Sequence, residues 1–340
     1  MSFRRPELTS PEPLQNLPEK VPPNLCAGDL RENRSQVRPG GNDSQENFCA
    51  QPPPRRTPAA GLHRRRRDSD EQQQPAVRGT VFSPRLAVFA LEWYSGPRAS
   101  LNLLETLPLV QRWREALLSY CEDAAPRVRA MISGHGPSGQ RLEEPHLALA
   151  PLAFVGHPNA DGHIAGLAAA IPASLDPGAR QQVVRILGQV RELRLGELGV
   201  WRLVQKLDGR PPSYLRAEAW TAYPAGATHW ATVTPVAFDR HPRSRDRRDH
   251  QQEVSAMIAD GCEAIGLPQP REVVVTPVSA HPGVPPAYSF PRLTRKDGTE
   301  RRHAHAILVF DQPVRGPVLI GAGRYRGYGL CRPINAEVWL

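Results

Sequence analysis

Leu86-Ala87-Val88-Phe89-Ala90-Leu91 is an unbroken apolar run between Arg85 and Glu92, and it reads as a short buried strand. Downstream, Thr106 and Pro108 mark a helix start, because proline is tolerated in the first turn. Leu109, Trp113, Leu117 and Tyr120 follow at helical spacing. A polar loop runs from Ser133 to Glu144, and Leu147–Val155 and Ile164–Ile171 read as two further strands. Asp176-Pro177 starts a second helix, with Val183, Leu187, Val190 and Leu193 on one face, and Gly199–Gln205 closes the set as a strand. The order is β-α-β-β-α-β, the ferredoxin-like pattern.

A second round begins near Trp230. Trp230–Phe238 is strand-like, and a basic loop from His241 to Arg248 follows it. A helix then carries Val254, Ile258, Cys262 and Ile265, stopping at Gly266 with Pro268 beyond. Glu272–Val278 and Ala304–Phe310 read as strands and Val318–Ile320 as a shorter one, but the second helix of the pattern is missing or very short. The predicted fold class is α+β, two tandem ferredoxin-like units at 84–208 and 228–340.

Residues 1–80 have a different texture, with runs such as Pro52-Pro53-Pro54 and Arg64–Arg67 and no apolar period. Such a stretch cannot bury enough surface to offset its ordering entropy and reads as a disordered tail. The 340-residue chain carries a net charge of +9, nearly all of it from arginine, since Lys20, Lys206 and Lys296 are the only lysines. Arginine-rich excess charge suits phosphate contacts, although GC-rich coding also inflates arginine, proline, alanine and glycine. The five cysteines show no metal-ligand spacing and are odd in number, which argues against a disulfide framework and a zinc ribbon. A reducing cytoplasm fits best. No stretch reaches the length of a membrane span, and the N-terminus has no apolar secretory core.

The most specific segment is Gly321-Ala322-Gly323-Arg324-Tyr325-Arg326-Gly327-Tyr328-Gly329-Leu330. Glycines let backbone N–H groups approach phosphate, arginine supplies charge, and tyrosine offers a flat face to a base. A dinucleotide-binding loop fails here, because it must open a helix and only eleven residues follow Gly329, interrupted by Pro333. A Walker loop fails because no Lys-Ser or Lys-Thr pair occurs. A glycine-rich hairpin without a ligand is the remaining alternative.

This strand, glycine-rich loop and short terminal strand resemble the signature loop of the CRISPR-associated RAMP superfamily. Phe154-Val155-Gly156-His157 through Ala160-Asp161-Gly162, Leu198–Leu203, Trp230–Val236 and the run from Arg301 to Pro333 resemble the type I-G (formerly I-U) family in particular. In that family a Cas-five-like part is fused to a Cas-six-like part. The resemblance covers roughly residues 84–333 and lies mainly with the Cas-six-like part. It implies RRM/RAMP domains, binding to CRISPR repeat or guide RNA, association with other effector-complex subunits, and no cofactor. Longer members carry a Cas-five-like domain at the front where this chain has its 80-residue tail. That departure leaves three readings, a fragment, a split gene or a mis-called start, and leaves open the activities that need the Cas-five-like part, such as holding the 5′ handle of the guide RNA.

The resemblance further implies metal-independent cleavage, in which the 2′-OH attacks the adjacent phosphate to leave a 2′,3′-cyclic phosphate and a 5′-hydroxyl. Histidine suits the acid and base tasks. His135, in the glycine-flanked loop Ser133-Gly134-His135-Gly136, and His157, in Gly156-His157-Pro158, are the catalytic candidates, His135 ahead because an exposed loop can reach a substrate. His146 opens a strand and reads as structural. Many RAMP nucleases carry their histidine just after the first strand, where this chain has Glu92-Trp93-Tyr94-Ser95-Gly96 and no histidine. The RNA-binding candidates are Gly321, Gly323, Arg324, Tyr325, Arg326, Gly327, Tyr328 and Gly329, together with Arg302, His303 and His305. The two histidines alternate on a strand and share a face, read as polar and basic. Two rival functions stay open: a non-catalytic guide-RNA-binding subunit, and a metal-dependent hydrolase on His157, Asp161 and His163, which lacks a clear further ligand set.

Overall fold

The computed structural model describes residues 77–205, 211–244 and 246–335. The tail expected over 1–80 therefore lies outside the described residues as far as 76, as do Arg245 of the basic loop and the last five residues. Residues 77–80 depart from that expectation, because Arg78–Gly79 form a short strand, β1, in a sheet.

The first half follows the predicted order with two additions. Strand β2 (Ala87–Ser95) leads to a 3-10 turn at Leu103–Glu105. Asn102 caps that turn, its Oδ1 accepting from Leu104 N at 2.8 Å while Glu105 Oε2 accepts from Asn102 N at 2.6 Å. Helix α1 (Thr106–Ser119) buries Leu109, Val110, Trp113 and Leu117, and Trp113 meets Phe89 of β2 edge-on at 5.7 Å. Helix α2 (Pro126–Ser133) has no apolar period long enough to show in the sequence; proline opens it, and Gly134 ends it at φ 75°. Strands β3 (Ala148–Ala153) and β4 (Ile164–Ala170) follow. Helix α3 (Pro177–Gln189) is capped by Asp176, and β5 (Glu192–Arg194) and β6 (Val200–Val204) complete the half.

The sheet order is β3-β4-β2-β6-β5, all neighbours antiparallel. Counting the four long strands in chain order gives 2-3-1-4, the ferredoxin-like arrangement in which each helix crosses the sheet between parallel strands.

A connection containing the short helix α4 (Glu218–Thr221) buries Trp220 and lays Leu215 over Gly166 of β4. The second half consists of β7 (Ala227–Thr232), β8 (Val236–Ala237), α5 (Arg247–Glu263), β9 (Glu272–Thr276), β10 (His303–Arg315) and β11 (Cys331–Pro333). Strand β10 pairs β9 on one edge and β7 on the other, and β7 pairs β11. The order β9-β10-β7-β11 is again 2-3-1-4, so the architecture is α+β with two ferredoxin-like sheets. Here no helix joins the third strand to the fourth; the glycine-rich segment makes that crossing instead. Strand β1 adds in parallel to β10 at Val314 and Arg315, so residues preceding the first half belong to the second sheet. One continuous apolar cluster runs through both halves.

Candidate nucleic-acid cleft

Helix α1, the α2–β3 loop and the glycine-rich segment surround a cleft of about 400 Å³. Its α1 wall is Leu107, Val110, Gln111 and Arg114, an i, i+3, i+4, i+7 stripe. Six cationic side chains line it: Arg114, Arg141, Arg295, Lys296, Arg301 and Arg326. Among the described residues no carboxylate does, so the field inside favours a polyanion.

Arg114 ties the cleft together. Its guanidinium donates to Leu147 O at 3.1 Å, to Tyr325 O at 2.6 Å, and to Ile132 O. All three partners are carbonyls, and among the described residues Arg114 has no ion-pair partner. Burial, helped by neighbouring Arg326, lowers its pKa to about 10. Tyr325 stacks on His146 with ring centroids 3.5 Å apart, and the Arg324 guanidinium lies 4.8 Å from the Tyr325 centroid. His146 is 6% exposed. Burial first, and then the surrounding arginines, lowers its pKa to about 4, so it is a neutral wall of the cleft at pH 7, in keeping with its structural reading.

His135 stands exposed at the rim. Its Nδ1 lies 3.1 Å from Ser133 O. A carbonyl only accepts, so Nδ1 is the donor in this contact and Nε2 is not engaged by it. His157 lies elsewhere, exposed in the β3–β4 loop and stacked on Phe154 at 5.7 Å, its Nδ1 accepting from Asn159 N. The structure does not bring the two histidines to one cavity. Among the described residues no group of three could hold a metal ion, and Asp161 pairs with His163 at 2.6 Å.

The glycine-rich segment divides between cleft and core. Ala322, Tyr325 and Arg326 face the cleft. Gly321, Gly323, Gly327, Tyr328 and Gly329 are buried. Tyr328 is fully buried, its hydroxyl donating to Pro291 O at 2.6 Å and its pKa raised by burial. It therefore offers no face to a base. Several backbone donors are also taken: Ala322 N bonds Ala237 O, Arg326 N and Tyr328 N bond Gly323 O, and Gly329 N bonds Pro235 O. These glycines serve packing. A Cβ on Gly329 would lie 1.9 Å from Ile320 O, and one on Gly327 would lie 2.7 Å from Thr106 of α1.

His303 and His305 do share a face of β10, but it is the inner one. His305 has no exposed surface; its Nε2 donates to Pro285 O at 3.0 Å, and its Nδ1 lies 2.9 Å from Thr232 Oγ1. Burial lowers its pKa to about 4. His303 is half-buried with Nε2 2.8 Å from Ala287 O. The segment before Phe290 covers what the alternation made look like a solvated face. Arg302, the next residue back, is exposed.

Arg114, Arg141, Arg295 and Lys296 do not stand out in the sequence as site residues. The polar member of the α1 stripe is a readable signal for Arg114. Arg295 and Lys296 sit in a turn closed by the Thr294–Glu300 bridge, which nothing in sequence aims at α1.

The sequence model of the CRISPR-associated protein GSU0054 family matches residues 55–333. No curated protein matches. Among solved structures, a Cas6b crystal structure overlaps with 11% identity and a TM-score of 0.42, covering 73% of this chain and 99% of that one. A Cas6-related protein from Pyrococcus furiosus overlaps with 13% identity and a TM-score of 0.38, covering 74% and 98%. A RAMP protein described as binding different RNA substrates overlaps with 10% identity and a TM-score of 0.39, covering 74% and 99%.

Proposed function

The chain belongs to the CRISPR-associated GSU0054 family, and from that premise we propose that it binds CRISPR RNA in the cationic cleft and cuts repeat RNA there without a metal ion. The observation carrying this reading is the cleft itself: among the described residues six cations and no carboxylate line it, and at its rim stands an exposed histidine whose contact with Ser133 O does not engage Nε2.

His135 Nε2 removes the proton of a 2′-OH. The freed oxygen attacks the adjacent phosphorus, the bond to the 5′-oxygen breaks, and a 2′,3′-cyclic phosphate and a 5′-hydroxyl form. Arg326 and Arg295 offset the charge gathered on the phosphate. Guanidinium groups do not give up protons, which makes Lys296 the proposed donor to the leaving 5′-oxygen. Tyr325, backed by His146, offers a flat wall for a base. The motif resemblance supports residence in a type I-G effector complex with other subunits.

The test is incubation of the full chain with the repeat RNA of its own locus in EDTA. Cleavage is expected, with His135→Ala slowing it by about 100-fold or more and His157→Ala leaving it unchanged. Undiminished cleavage by His135→Ala overturns the site. A second reading, a guide-RNA-binding subunit without catalysis, is favoured by one observation: His146 is buried and held neutral, so among the described residues the cleft presents a single exposed imidazole, His135, with no second one beside it. Salt-sensitive binding with no cleavage would select it.

A further inference from the structure

On the other side of the Arg292–Arg302 hairpin from the cleft lies a second cavity, of about 660 Å³. Arg247 and His250 of α5, Arg292 and Arg302 of the hairpin, and Tyr288 and His303 line it, and among the described residues no carboxylate does. Among the described residues, Arg247 and Arg302 have no carboxylate partner, while Arg292 is shared with Glu300 at 3.0 Å. Tyr288 is 79% exposed, the most exposed large apolar side chain among the described residues. A tyrosine ring standing in water beside unpaired arginines is the pairing that single-stranded nucleic acid uses, with a π-face for the base and guanidinium for the phosphate.

The hairpin links this cavity to the cleft residue by residue. Leu293 and Arg301 face the cleft, while their neighbours Arg292 and Arg302 face the second cavity. The hairpin, closed by the Thr294–Glu300 bridge, is thus a ridge with a cationic basin on each side. We infer that an RNA strand leaving the cleft crosses this ridge, and that the second cavity holds one flanking unpaired nucleotide, its base stacked on Tyr288 and its phosphate on Arg302 and Arg247. Stacking reads no base edge, so the subsite accepts any of the four bases. The inference rests on the RNA-binding reading of the cleft.

The experiment measures the affinity of the full chain for the fluorescein-labelled repeat RNA of its own locus. Tyr288→Ala is expected to weaken binding about tenfold, Tyr288→Phe to leave it within about twofold, and Arg302→Ala to weaken it and flatten the salt dependence. Tyr288→Ala should not move the melting temperature, because the ring is out in solvent. If Arg326→Ala in the cleft weakens binding and Tyr288→Ala does not, the second subsite falls and the cleft stands. If Tyr288→Ala weakens binding and Arg326→Ala does not, the subsite stands and the cleft assignment falls. If neither matters, the RNA reading fails and takes the inference with it. A loss in Tyr288→Phe equal to that in Tyr288→Ala overturns the stacking role.

Discussion

The two halves share a strand order and differ in one connection. In the first, α3 carries the chain from the third long strand to the fourth, laying Val183, Ile186 and Leu187 on the sheet. In the second, Gly321–Gly329 makes the same passage without a helix. A helix spends its backbone donors on itself and can cover a sheet with side chains alone. The glycine-rich crossing spends several of them on Ala237, Pro235 and its own turn, and it lies so close that a side chain cannot fit at Gly329. That closeness brings Tyr325 and Arg326 against α1 of the other half. The half without that helix thereby supplies a cationic lip of the cleft.

The strongest way to break this comparison is Gly329→Ala. With φ at 71° and a carbonyl 1.9 Å from the new Cβ, it should cost about 4 kcal/mol or more in urea unfolding. A loss under about 1 kcal/mol would mean the crossing is slack. Arg114→Met comes next, because it strips a donor from three carbonyls and should cost about 3 kcal/mol while also weakening RNA binding. A smaller stability loss with full RNA loss would make Arg114 a ligand contact alone.

Acid comes third. His146, His281 and His305 have folded pKa values lowered to about 4, chiefly by burial. The unfolded chain therefore binds more protons between about pH 6.5 and 4. Stability is full above about pH 6.5 and falls through this window, by about 2 kcal/mol per such histidine at about pH 5. Urea unfolding across that range checks it, and His305→Gln should reduce the slope. A flat profile would show that these imidazoles charge without cost. The smallest effect belongs to the helical crossing. A Cβ added to Gly188 of α3 would have nothing within 4 Å, so Gly188→Ala should stabilise by about 0.5–1 kcal/mol, the opposite sign to its counterpart at Gly329.

Much of this is legible in the residues. The apolar run at Leu86–Leu91 and the spacings of Leu109, Trp113 and Leu117 place strand and helix where they lie, and the absent second helix is visible as an absence of period. Alternation pairs His303 with His305 correctly. It cannot say which side of β10 is covered, because the segment that buries them returns from a loop about 15 or more residues earlier in the chain. The glycines read naturally for what they could offer a phosphate, but their spacing answers to Thr106 and Ile320, contacts distant or oblique to the local pattern. Nor can sequence register the pairing of Arg78–Gly79, since two residues carry no periodicity.

That pairing makes the first half an insertion. The polypeptide gives two residues to one sheet, departs to build another, and returns to finish what it began, with Val314 and Arg315 closing on residues more than 200 positions behind them. Cutting the backbone between 205 and 211 would not yield two self-sufficient pieces. The leading fragment would keep an edge that the trailing fragment needs, so the two should reassemble when mixed more readily than either stands alone.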